Sequence, residues 1–159
     1  IKLDIPVSYI HDFISRNPNA WTQHKSTVSG RITPISYIPL WQNNNLINKN
    51  WNPGIKTKIP RLEHAVMLLK ISAHAHMPPH VDGEKNPRKT AWVFPLSESY
   101  VPTRFYEEDN LIDEYAGQML LNTTKIHEVC NGEEDRYNLQ ICFEEDIKTV
   151  LKEHLDVIF

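Results

Sequence analysis

Cysteine is scarce in this chain: Cys130 and Cys142 are the only 2 in 159 residues. Two thiols make no disulfide framework, and their scarcity fits a reducing cytoplasm. Long apolar runs are missing as well. Mean hydropathy is −0.47, and no segment approaches the roughly 20 apolar residues of a membrane-spanning helix. Positive charge is not in excess, since 17 Lys and Arg against 20 Asp and Glu give a net charge of −3 and a pI near 6.2. Bulk attraction to phosphate is therefore excluded, and nucleic acid is an unlikely partner short of a local basic groove. The first residues lack the basic, apolar, small-residue pattern of a signal peptide. Internal repeats and low-complexity tracts are absent, and no proline follows Pro102 although all 11 lie between Pro6 and that point. What remains is globular, 40% hydrophobic and 23% charged, the size of a single domain spanning 1–159. A chain of this length buries roughly 70% of its unfolded surface, enough for a core without metal or disulfide staples. A metal site here would serve function rather than folding.

Residues 8–16 place Tyr9, Ile10, Phe13 and Ile14 at helical spacing behind Ser8 as a cap, and Asn17-Pro18 ends the pattern. From Trp21 to Pro60 short apolar pieces alternate with Thr33-Pro34 and Ile38-Pro39, which predicts short strands and one long exposed loop over 42–54. The segment 65–73 is apolar on both faces in its first half, as a buried strand would be, and ends at Met77-Pro78-Pro79. Further strands are expected over 90–94, 103–106 and 118–121. The runs 126–129 and 136–143 flank Asn131-Gly132 and read as a hairpin. A terminal amphipathic helix follows, with Glu144, Glu145 and Asp146 at its start and Ile147, Val150, Leu151 and Leu155 on its apolar stripe. Many short strands with helices at the ends predict a mainly β fold, a sandwich or jelly-roll barrel. In the last strand Tyr137, Leu139, Ile141 and Phe143 share one face and Arg136, Asn138, Gln140 and Cys142 the other. The polar face meets either water or the cavity of a barrel.

Histidine is the abundant residue, with 8 in the chain: His11, His24, His64, His74, His76, His80, His127 and His154. His80-Val81-Asp82 sets an imidazole and a carboxylate two residues apart, hence on one face of an extended segment, as two neighbouring ligands of a metal require. Such a triplet also arises by chance: His154-Leu155-Asp156, in the terminal helix, is read as surface. His127 and Arg136, on the two strands around the turn, add an imidazole and a guanidinium. Two His and one carboxylate form the facial triad of non-haem Fe(II) oxygenases, which leaves positions open, and an arginine can hold a dicarboxylate by a bidentate pair. His74-Ala75-His76 with His80 and Asp82 offers a rival, a zinc-hydrolase-like cluster, although Pro78-Pro79 stands where such clusters carry an acid. A metal-free jelly-roll binding module is a third reading.

The order His80-x-Asp82, then His127, then Arg136 nine residues later resembles the Fe(II)- and 2-oxoglutarate-dependent oxygenase superfamily, in particular its small single-domain prolyl- and aspartyl-hydroxylase-like members. The resemblance runs from about Leu68 to Phe143. It implies a double-stranded β-helix, a cupin-like jelly roll, with its core over about 62–143 and helices at both ends. It implies Fe(II) on His80, Asp82 and His127, 2-oxoglutarate on Arg136, O2 as the oxidant, and hydroxylation of a C–H bond with release of succinate and CO2. Many members carry Ser or Thr two residues after the arginine; Asn138 stands there in this chain and retains hydrogen-bonding capacity. Tyr106 and Trp92 become candidates to line the cosubstrate pocket, against the plainer reading of strand aromatics as core. Arg88 is a candidate carboxylate contact or a solvated loop residue. A peptide or protein side chain is the first expectation for the substrate and a small molecule the second; oligomeric state is unreadable from sequence.

Overall fold

The first helix, α1 (Val7–Arg16), starts two residues earlier than a cap at Ser8 would set it. Pro6 precedes it, Ser8 lies inside the first turn, and no side chain caps the helix. A proline at this point sacrifices only an N–H that a helix start leaves unpaired. The structure is a computed structural model and describes residues 5–26, 29–43, 45–52, 65–82, 87–98 and 101–158, with side chains up to 154. His64 and residues 44, 53 and 54 of the expected 42–54 loop fall outside these residues.

Strands β1 (Thr22–Lys25), β2 (Ile32–Gln42), β3 (Asn45–Leu46), β4 (Val66–Ile71), β5 (His76–His80), β6 (Thr90–Pro95), β7 (Thr103–Glu107), β8 (Asn110–Tyr115), β9 (Met119–Asn122), β10 (Ile126–Cys130) and β11 (Arg136–Phe143) precede helix α2 (Ile147–Ile158). They form two antiparallel sheets. The larger has the order β1-β2-β4-β11-β6-β9, with β3 on β2, and the smaller has the order β5-β10-β7-β8. This is the expected mainly β jelly roll with flanking helices. The described part of 42–54 is more ordered than an exposed loop, because β3 pairs there and Trp51 is buried against Tyr9, Phe13 and Trp41.

Alternation along β11 divides the interior. Leu139, Ile141 and Phe143 join Ile38, Leu40, Val66, Leu68 and Trp92 in the main apolar core, which Ile10 and Phe13 of α1 and Val150 of α2 cover. Asp146 caps α2 by accepting from the Thr149 N–H at 2.9 Å. The opposite face of the large sheet looks at the small one: Ile71 packs with Val129, and Ala91, Val93 and Met119 pack with Phe105. Arg136, Asn138, Gln140 and Cys142 share this inward face and are all buried. Of the two readings of that polar face, exposure to water is the one the structure removes.

The expected hairpin over 126–143 is corrected. β10 pairs with β5 and β7, whereas β11 pairs with β4 and β6, so the chain crosses between sheets at 131–135. The favoured two-residue hairpin turns need positive φ at the first central residue or at both, and neither Asn131 nor Gly132 has it. Asn131 Nδ2 instead donates to the carbonyls of Ile71, Ser72 and Glu134 at 2.9–3.0 Å, and the Asn131 N–H donates to Ala75 O at 2.8 Å. The β10–β11 crossover is thereby tied to the β4–β5 crossover beside it.

Candidate metal centre

β5 runs straight through Pro78 and Pro79, where the sequence predicts the end of a strand. As the edge of the small sheet it has one side without a partner strand, where a missing N–H costs nothing. His80 on β5 is therefore directly opposite His127 on β10, ring centroids 4.5 Å apart. Asp82, two residues further on, is held by its N–H donating to Thr123 O at 3.0 Å. Its Oδ1 lies 3.9 Å from His80 Nε2 and 3.7 Å from His127 Nε2. Metal–ligand bonds of about 2.1 Å allow one ion to bridge donors up to roughly 4.2 Å apart, which both Asp82 separations meet, and all three donor atoms lie within 4.8 Å of one another, so the group could hold one cation.

The hydrogen bonds around these donors favour the same outcome. His80 Nδ1 donates to Pro78 O at 2.7 Å and His127 Nδ1 to Lys125 O at 2.8 Å, each to the carbonyl two residues back along the chain. With the proton engaged on Nδ1, the Nε2 lone pair of each ring is free and aimed at Asp82. His127 is 4% exposed, and burial above all, with the neighbouring His80, pushes its pKa below the ordinary histidine value. Neutral imidazole is the ligating form. Arg88 Nη2 forms an ion pair with Asp82 Oδ2, leaving Oδ1 toward the histidines, and Arg88 Nη1 donates to Cys142 Sγ at 3.5 Å. Arg88 thus bridges the candidate centre and the inward face of β11; the solvated-loop reading of this residue is corrected.

Further along that face, Arg136 is 7% exposed, and its Nη1 donates to Val101 O at 2.8 Å. No carboxylate among the described residues pairs with it, and burial alone depresses its pKa. A small cavity lies beside it, bounded by Asn138, Val93, Val101, Gly117 and Met119. Gly117 can close over it because its φ of +111° is open to glycine. The Asn138 Oδ1 is buried without a partner, and turning the amide over would present Nδ2 donors to the same space. A buried cation without an anion, next to an unsatisfied amide, fits the carboxylate end of a small acid.

Two other expectations are corrected by strand parity. Trp92 is opposite Ile141, on the outward face of the large sheet, fully buried in the core away from Arg136. Tyr106 is opposite Ile126 on the outer face of the small sheet, where its hydroxyl donates to Glu128. His74 lies exposed in the β4–β5 turn at φ 58°, and the exposed His76 faces Glu128 on that outer side, so neither reaches His80 and Asp82 and the zinc-hydrolase cluster does not assemble. His154 is not a surface residue: it is buried with its ring stacked on Phe143, 5.4 Å between centroids. His24, read from sequence as ordinary, is close enough to Arg88 and Asp82 to feel both charges, while burial is the main cause lowering its pKa.

A two-sheet jelly roll with two histidines and an aspartate at the inner face of its small sheet is the class that fold and geometry define. Solved structures place the fold more closely. Over 86% of this chain and 76% of that one, it superposes with a TM-score of 0.59 and 12% identity on a prolyl hydroxylase from Trichoplax adhaerens, solved in complex with a hypoxia inducible factor oxygen degradation domain peptide fragment. A prolyl-4-hydroxylase from Pseudomonas putida gives 0.56 at 14% identity, covering 90% of this chain and 89% of that one. A 2OG-Fe(II) oxygenase family oxidoreductase from Burkholderia pseudomallei gives 0.55 at 11%, covering 88% and 79%. No family model and no curated protein sequence matches the chain. The chain therefore has the fold of the 2-oxoglutarate and iron oxygenases.

Proposed function

We propose that this protein is an Fe(II)- and 2-oxoglutarate-dependent dioxygenase that hydroxylates a C–H bond of a peptide or protein side chain. The observation that carries the reading is the pairing of two unsatisfied features across one interior. His80, Asp82 and His127 converge through Nε2 and Oδ1, and the inward face of β11 holds Arg136 buried with no acid among the described residues beside it.

The residues divide the work by their chemistry. His80 and His127 bind through Nε2, each ring fixed by its Nδ1 hydrogen bond. Asp82 contributes a negative charge through Oδ1 while Arg88 holds Oδ2. Three protein donors leave room for an exogenous chelator and a gas ligand. Arg136 receives the distal carboxylate of the cosubstrate by a charge-assisted pair, and Val93, Val101 and Met119 keep water from competing for it. Fe(II) with 2-oxoglutarate, when bound, supplies O2 activation coupled to decarboxylation and C–H hydroxylation. A peptide substrate is supported by the Trichoplax neighbour, which was solved with one.

Anaerobic titration of the protein with Fe(II) and then 2-oxoglutarate tests the reading. The expected result is the visible charge-transfer band of the keto-acid chelate, with Arg136→Ala requiring about 30- to 1000-fold more 2-oxoglutarate, as the loss of one partner of a buried charge pair costs roughly 2–4 kcal/mol. Fe(II) affinity stays unchanged in that variant. No band, or loss of metal on replacing Arg136, would overturn the assignment.

A further inference from the structure

The outer face of the small sheet carries a second convergence of donors that the oxygenase reading does not use. Glu128 and Cys130 are two apart on β10 and so share a face, and His76 on β5 is the register partner of Cys130. His76 Nε2, a Glu128 carboxylate oxygen and Cys130 Sγ all lie within 4.8 Å of one another. His76 Nε2 donates to Glu128 Oε1 at 2.7 Å and the Cys130 thiol points at the same oxygen from 3.8 Å. The other oxygen, Oε2, is held from outside this group by the Tyr106 hydroxyl and, at 3.9 Å, by Arg104, whose charge Glu114 also engages at 3.1 Å. Glu128 is 8% exposed, so its carboxylate is anchored with Oε1 turned toward the imidazole and the thiol.

We propose that His76, Glu128 and Cys130 form a second metal site, on the opposite face of the small sheet from His80, Asp82 and His127, and that its ion is zinc. One thiolate, one imidazole and one carboxylate are the mixed sulfur, nitrogen and oxygen donors that zinc accepts, and the exposed side at His76 leaves a fourth position for water. Binding replaces two protons: the Cys130 thiol proton leaves to solvent, and the His76 proton moves from Nε2 to Nδ1 through solvent. The ion links β5 to β10 at the end opposite His80 and His127, across the register shift that separates the two ends. Sulfur distinguishes the two centres, because the inner one has none among its three donors.

Cobalt(II) reports that difference. The full chain, reduced and kept anaerobic, is titrated with Co(II) and then with Zn(II) while the near-ultraviolet thiolate-to-cobalt charge-transfer band is followed. The expected result is a band that grows with Co(II) and is displaced by Zn(II). It disappears in Cys130→Ser, needs at least tenfold more Co(II) in His76→Ala, and persists in both Cys142→Ser and His80→Ala. His76 is exposed, so its variant keeps the test readable if Cys130→Ser does not fold. No band in the wild-type protein, or a band that survives Cys130→Ser and vanishes in Cys142→Ser, would overturn the proposal. Because His80→Ala removes an inner donor and spares the outer set, failure here and failure of the oxygenase reading give different results.

Discussion

Two faces of one pair of strands each gather a cluster of metal-binding side chains, and they are built differently. On the inner face of β5 and β10, His80 and His127 turn their Nδ1 protons to backbone carbonyls, and Asp82 is braced by Arg88. The donors that remain, His80 Nε2, Asp82 Oδ1 and His127 Nε2, converge on one another. On the outer face, His76, Glu128 and Cys130 are already bonded among themselves, and the His76 side chain is 55% exposed. Residue type alone does not separate the two. The inner donors are preorganised by partners outside the group, so an ion meets little reorganisation, whereas the outer set gives up internal hydrogen bonds, releases the Cys130 proton and shifts the His76 proton to bind one. The inner centre should therefore bind a divalent ion more tightly.

Removing an inner donor should break the contrast with the largest effect. His127→Ala is expected to lower Fe(II) affinity at least 100-fold and bring 2-oxoglutarate turnover to background, read by equilibrium dialysis and succinate formation. The same assays on Asp82→Ala should agree; Fe(II) binding left intact in both would show that the convergence is accidental. Arg88→Gln sharpens the comparison, since it removes the brace on Asp82 and leaves every donor in place. Loss of such an outer partner typically costs 10- to 100-fold in metal affinity, and wild-type affinity in this variant would contradict the bracing role.

The smallest effect is that of pH on the folded chain. Burial holds His127 below its ordinary value, so the unfolded chain takes up a proton on this residue before the folded one does. That contribution to stability is present above the ordinary histidine range and is lost as pH falls toward the folded value. Denaturation midpoints measured from about pH 8 down to pH 5 should fall, and less steeply in His127→Gln. An equal slope in the variant would place the pH dependence elsewhere.

How much of this was legible in the sequence follows from which physical rule governs each part. The spacing His80-x-Asp82 survives because two residues on an extended segment share a face whatever sheet they join. The alternation in β11 likewise placed Arg136 and Asn138 together, but only the second sheet turned that polar face inward. The sequence does not report the faces of Trp92 and Tyr106, because parity outside β11 depends on pairing; Ile141 opposite Trp92 and Ile126 opposite Tyr106 put both rings on outer faces. The crossover at 131–135 looked like a hairpin because Asn-Gly is a turn signal, and what overrides it is long-range, the grip of Asn131 on the β4–β5 corner. β8 left no signal. All its residues are exposed, it follows a turn with Glu108 at φ 53°, and its ladder to β7 alone defines it. The role of Arg88 is not legible, since nothing in the sequence reports that residue 88 returns to residue 82.

The central claim is that the inner face of β5 and β10 holds iron within reach of a cosubstrate on β11. Anomalous diffraction at the iron edge, from crystals grown anaerobically with Fe(II) and 2-oxoglutarate, tests it most directly. The account predicts an iron peak bounded by His80 Nε2, Asp82 Oδ1 and His127 Nε2, with the keto acid running from that peak to the Arg136 guanidinium. An empty inner face with iron bound elsewhere, or a keto acid that does not touch Arg136, would contradict it.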